Sequence, residues 1–174
     1  MKKPIITRRG ISMAETILST IIVGFVLVST LQIVGPMVRS TTVHADKLIA
    51  TNLANELTEE IGTLLWTTPD TDSPNSIGLE LTETRTTFDD IDDFDNWSST
   101  PPMVSTGQLN TRLSQWTRSV NVDHVLLADA TTVSGTYTGL KRVTVTVSKN
   151  GTKLAQVSSL HSQSADTLGF IVQP

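Results

Sequence analysis

The sequence predicts an α+β protein: one long N-terminal helix, its first half in a membrane and its second half packed on a small antiparallel β-sheet head. Three observations carry this. Thr16 to Val38 is a run of 23 residues without a charge. Beyond it Ile49, Leu53, Leu57, Ile61 and Leu64 or Leu65 recur at helical spacing. Near the other end, two alternating runs flank Asn150-Gly151, the pair that suits a tight hairpin.

At about 1.5 Å per residue the uncharged run makes a helix of about 35 Å, enough for a hydrocarbon core of about 30 Å. Lys2, Lys3, Arg8 and Arg9 precede it, and only Arg39 and Lys47 follow closely. The positive-inside bias therefore places the N-terminus in the cytoplasm and the bulk of the chain outside. A cleaved secretory signal would show an apolar core of about 7 to 15 residues and then a small-residue cut site. This run is too long and lacks such a site. Gly35-Pro36 interrupts the helix, because proline removes a backbone donor and bends the axis. Asn52, Asn55, Glu56, Glu59 and Glu60 fill the polar side of the amphipathic part. Gly62 weakens the last turn and Thr67-Thr68-Pro69 stops it. The expectation is one bent helix from about Ser12 to about Trp66, divided into residues 11–38 for the membrane and 39–66 for the head.

The head, residues 67–174, begins with a loop rich in Asp, Ser, Thr and Pro from Pro69 to Ser76. Ile77 to Leu81 alternates as a short strand does, with Thr84 to Phe88 as its continuation. The acidic loop 88–97 follows, with five aspartates in seven positions: Asp89, Asp90, Asp92, Asp93 and Asp95. So dense a set of carboxylates repels itself unless water or a cation holds it, and oxygen-only ligands suit calcium. The sixth loop position has no glycine and no glutamate closes the loop, so the EF-hand pattern fails. In the competing arrangement Phe88, Ile91, Phe94 and Trp97 tuck inward at three-residue spacing while the aspartates face water.

Ser105 to Gln115 reads as a polar loop that brings in Trp116. Trp116, Arg118, Val120 and Val122 then alternate as a strand with one buried face, with Val125 to Leu127 as an extension. Asp129 to Gly139 reads as a loop of small residues. Leu140 to Ser148 and Lys153 to Leu160 form the clearest strand pair, with Val143, Val145 and Val147 on one face. A sheet of three to five strands, covered by the amphipathic half of the helix, is the economical head. Leu168 to Val172 is a candidate final strand.

Composition narrows the function. The formal charge is −4, and without residues 1–10 the nine Lys and Arg against 17 Asp and Glu give −8. An acidic product argues against nucleic acid as a partner. The absence of cysteine excludes disulfides, zinc-thiolate sites and thiol nucleophiles. His44, His124 and His161 show no ligand spacing, and no glycine-flanked nucleophilic serine is present. A structural protein, not an enzyme, is the expectation.

Glu15 asks for an explanation of its own, because an unpaired charge at the edge of a span costs about 2.5 to 3.5 kcal/mol. The basic leader 1–10, Gly10, the apolar Ile11, Glu15 five residues after the glycine and some twenty uncharged residues together resemble a known signal. It is that of type IV pilins and type II secretion pseudopilins. The resemblance implies a pilin-like fold and a prepilin peptidase in the inner membrane that cuts after Gly10 and methylates the amino group of Ile11. It also implies that Glu15 meets the amino-terminus of a neighbouring pilin or pseudopilin subunit. Inner-membrane lipid holds the subunit until then, with its head in the periplasm. Phe88 to Trp97, Ser98 to Pro102, Trp116 to Val120 and Leu140 to Val145 further resemble the D-type minor pilins of the mannose-sensitive haemagglutinin pilus. That similarity implies a minor subunit. The competing reading is a signal-anchored periplasmic binding or sensor domain that does not polymerise.

Overall fold

Ser12 stands three residues before Glu15, a spacing that lets a hydroxyl side chain close a helix N-terminus, and the first helix begins there. Helix α1 spans Met13–Ile61 and continues through Pro36. The computed structural model describes residue 10 and residues 12–66, 77–78 and 83–167. Two compact units divide the chain, residues 1–45 and 46–174.

In the first unit the apolar side chains of α1 are exposed all round, from Met13 through Phe25 and Leu31 to Met37. The most apolar stretch of α1 has a mean hydropathy of 2.3, and the helix is long and apolar enough to cross a membrane. Its hydroxyl groups do not spoil that. Thr16, Ser19, Thr20, Ser29 and Thr30 each donate to a carbonyl three or four residues back, at 2.7–2.9 Å. A hydroxyl satisfied within its own helix needs no water.

In the second unit the buried face of α1 is Ala50, Ala54, Leu57 and Ile61, with Leu53 and Leu64 beside it. Ile49, expected on that face, is 38% exposed. The two alanines take the seam instead, because small side chains let the helix axis lie close to the sheet. The helix also ends at Ile61 rather than near Trp66. Gly62 and Thr63 turn the chain, and Thr63 N and Leu64 N bond three residues back at 3.1 Å. Leu65 then bridges to Asp90.

The sheet contains β1 (Ser98–Ser99), β2 (Trp116–Leu126), β3 (Asp129–Val133), β4 (Leu140–Lys149) and β5 (Thr152–Ser162). Its order is β1-β2-β4-β5, with β3 paired to the end of β2, and every named pair is antiparallel. Asn150 and Gly151 both have positive φ, 50° and 77°, as the expected tight turn requires. Two expectations fail here. Asp129–Val133 is a strand, not loop: a two-residue turn after Leu126 folds it back on β2. Thr84 to Phe88 is a turn, closed by Thr87 N bonding Thr84 O at 2.8 Å, and not a strand. Of the expected strand Ile77–Leu81, Ile77 and Gly78 are not in a strand and residues 79–81 lie outside the described residues, as do Leu168–Val172 and the expected loop Pro69–Ser76. Gln163–Thr167 forms a single helical turn, α2.

The register places four cross-strand rows on the core face of β2, β4 and β5. The middle rows are Val120-Val145-Val157 and Val122-Val143-Ser159. Arg118-Val147-Ala155 bounds them on one side and His124-Lys141-His161 on the other. Each flanking row thus carries a buried cation, Arg118 or Lys141.

Candidate functional site

The first candidate site is the N-terminal junction. Gly10 is exposed and a Cβ placed on it would meet nothing within 4 Å. Ile11 lies outside the described residues. Ser12 Oγ accepts a hydrogen bond from Glu15 N at 3.3 Å, so Ser12 caps the helix and Glu15 occupies its first turn. A carboxylate there is favoured by the positive end of the helix dipole. The Ser-x-x-Glu spacing signals that local role, which the sequence reading passed over. Glu15 remains exposed, at the head of the apolar surface.

The second candidate is the acidic turn, and here the sequence reading needs correction. Its aromatic half holds: Ile91 and Phe94 are buried, and Phe94 meets Phe88 and Trp97 edge-on at 5.0 and 6.0 Å. The aspartates do not all face water. Asp90, Asp92 and Asp93 are at most 2% exposed, Asp95 is partly buried, and Asp89 is the one exposed member of the five.

Backbone amides and a lysine account for this burial. Asp90 Oδ1 accepts from Asp92 N at 2.6 Å and Asp93 N at 3.2 Å, while Asp93 Oδ2 accepts from Asp89 N at 3.0 Å and Asp90 N at 3.2 Å. The two carboxylates brace one short 3-10 turn, Asp92–Phe94, from opposite sides. Asp95 Oδ1 accepts from Val122 N at 3.0 Å and so ties the turn to the edge of β2. Asp92 points inward to Lys141, whose Nζ donates to Asp92 Oδ2 and to Trp66 O, both at 2.6 Å, and lies 4.3 Å from the Trp66 ring. Burial pushes the Asp92 carboxyl up to about 7, against the opposing pull of the Lys141 hydrogen bond and charge.

The expected calcium ligands are thereby divided. Asp89 and Asp93 join Glu83 in a group whose carboxylate oxygens lie within 4.8 Å of one another, a spacing that a cation could bridge. Asp90, Asp92 and Asp95 serve amides and Lys141 instead, and Asp93 itself already accepts from two amides. Asp90→Ala is expected to cost about 1–3 kcal/mol by leaving two buried amides unbonded. Urea denaturation checks this: a loss below about 0.5 kcal/mol, the usual effect of an open surface substitution, would mark a solvated acidic loop instead of a structural turn.

A second buried cation closes the other side of the core. Arg118 donates to Met103 O, and burial holds its guanidinium below the ordinary value, with Glu56 and Glu60 pulling it back. Arg85 pairs with Glu60 and lies 4.8–5.6 Å from the rings of Phe94, Trp97 and Phe88. Lys149 pairs with Asp46 at 2.8 Å and joins the start of this stretch of α1 to the end of β4. An open cavity of about 500 Å³ lies beside His124, bordered by Asp95, Asp123 and Tyr137. Asp123 there is engaged by Arg142 at 3.0 Å.

No protein-family model, curated protein or solved structure matches the chain.

Proposed function

We propose that the chain is a minor pilin or pseudopilin, made as an inner-membrane precursor with its N-terminus in the cytoplasm and its head in the periplasm. Prepilin peptidase cuts between Gly10 and Ile11 and methylates the new amino group. The subunit then enters a type IV pilus or type II secretion filament through α1.

One observation carries this reading: an accessible glycine stands just before, and Glu15 within the first turn of, a helix whose first half is apolar on every side. A helix of that kind is stable only in lipid or among other helices. Lipid holds the precursor, and neighbouring subunits replace lipid during assembly. Their packing also offers Glu15 a cationic partner, the amino-terminus at Ile11 of the next subunit, shielded from water where such a pair attracts most strongly.

The test is Gly10→Phe. It should leave the leader attached, so that the chain recovered from native membranes is about ten residues longer than the wild type. Normal shortening in that variant overturns the proposal. A signal-anchored domain that never polymerises would keep Met1 in both proteins, which also counts against it.

A further inference from the structure

His124, Lys141 and His161 are direct cross-strand neighbours on β2, β4 and β5, and all three lie on the core face. Three groups able to carry positive charge thus stand side by side at one end of the sheet. Lys141 is fully buried and His124 is 6% exposed. His161 is half-buried, with its Nε2 2.9 Å from Ser159 Oγ. Among the described residues neither ring nitrogen of His124 meets a hydrogen-bond partner. Its ring packs edge-on against Tyr137 at 5.5 Å. Like charges directly opposite on adjacent strands repel, and burial strengthens the repulsion.

The surroundings supply little to absorb a second cation. Asp92 is already bonded to Lys141, and Asp90 and Asp93 beside it accept from backbone amides. Over His124, Asp95 is bonded to Val122 N and Asp123 to Arg142. His161 faces Gly62 and Trp66, which carry no charge.

We propose that this row is an acid-sensitive latch: proton uptake by His124 and His161 sets new cations against Lys141 and releases the β5 end of the sheet from the Gly62–Trp66 segment. The segment is held there through the Trp66 carbonyl, which accepts from Lys141. Burial first, and then the Lys141 charge, hold both imidazoles below their ordinary value in the closed state, with the Leu140 carbonyl pulling the other way at His124. In an opened state each takes its proton near pH 6.5, so acidification below that point favours opening. The Asp92 carboxyl pulls the other way, since it binds its proton more readily when buried. Between pH 7.5 and 5.5 the two imidazoles favour opening by about a hundredfold and a carboxyl at about 7 opposes it by about twenty-fivefold, which leaves about fourfold in favour of opening.

Hydrogen exchange of the detergent-solubilised full-length chain at pH 7.5 and 5.5, with times scaled for the intrinsic pH dependence, tests this. Peptides covering Gly62–Trp66 and Leu160–Ser162 should lose protection about fourfold at pH 5.5, and the His124→Gln/His161→Gln variant should not lose it. Equal protection at both pH values, or the same loss in the double variant, overturns the latch. Should the double variant fail to fold, imidazole titration of the wild-type chain by NMR decides the matter. Depressed midpoints for His124 and His161 support the latch, and ordinary midpoints refute it.

Discussion

Asp92→Ala should destabilise the head by about 3–5 kcal/mol at pH 8, because it strips a buried ammonium of its counter-charge. The wild-type pair is fully enclosed, with Lys141 at 0% and Asp92 at 3% side-chain exposure. Taking both charges out of water costs about as much as their attraction returns, and at the Asp92 carboxyl burial, helped by the Asp90 and Asp93 charges, acts against the pull of Lys141. Breaking the pair therefore hurts far more than deleting it. The Asp92→Ala/Lys141→Met variant should recover most of the loss, leaving a coupling of several kcal/mol in a double-mutant cycle. Urea denaturation followed by tryptophan fluorescence measures the wild type, the single variants Asp92→Ala and Lys141→Met, and the double variant. The pH dependence has a definite sign. A carboxyl whose value is raised on folding contributes its full stability below the unfolded value near 4 and loses it as pH rises through about 7. Asp92→Asn should flatten the stability profile across that window. A profile that keeps its slope in the variant would assign the effect elsewhere.

Phe94→Ala should cost about 3–5 kcal/mol, the usual loss for a fully buried phenylalanine. Phe94 is completely enclosed and touches both parts of the head that must meet, the ring cluster of the acidic turn and the valine face of the sheet. It also lies 4.8 Å beneath the Arg85 guanidinium, which the ion pair with Glu60 anchors to α1. Removing the ring opens a cavity and takes one face of support from that cation. The expected result is a fall of about 10 °C or more in the midpoint of thermal unfolding, with a change in Trp97 emission. Phe94→Leu, which refills part of the volume, should restore about half. A loss below about 1 kcal/mol for the alanine variant would mean that the turn is not part of the core.

The long helix and strands β2, β4 and β5 were legible in the sequence because periodicity decides them, whereas β3, read as loop, was not. Val143, Val145 and Val147 point to the core as alternation predicts, and Asn150-Gly151 closes the hairpin. What the sequence concealed depends on long-range partners. Alternation correctly placed Arg118 on the buried face, yet nothing local says which groups receive its charge. Lys141 looks like a strand-end surface lysine until the turn delivers Asp92 from 49 positions away. The aspartates misled for the same reason. Their number suggests solvent or a cation, whereas their spacing, Asp90 to Asp93, is that of mutual caps for a single turn. Counting large apolar residues put Ile49 on the helix seam, where the small Ala50 and Ala54 pack. At the N-terminus Glu15 was conspicuous, and its capping partner Ser12 was legible but outweighed by the longer pattern around it.

That pattern is the part of the chain on which the functional account depends, and one measurement addresses it most directly. The protein recovered from its native membrane should begin at Ile11 with a methylated amino group when sequenced from the N-terminus. A chain that still begins at Met1, or at any residue beyond the apolar helix, would contradict the account.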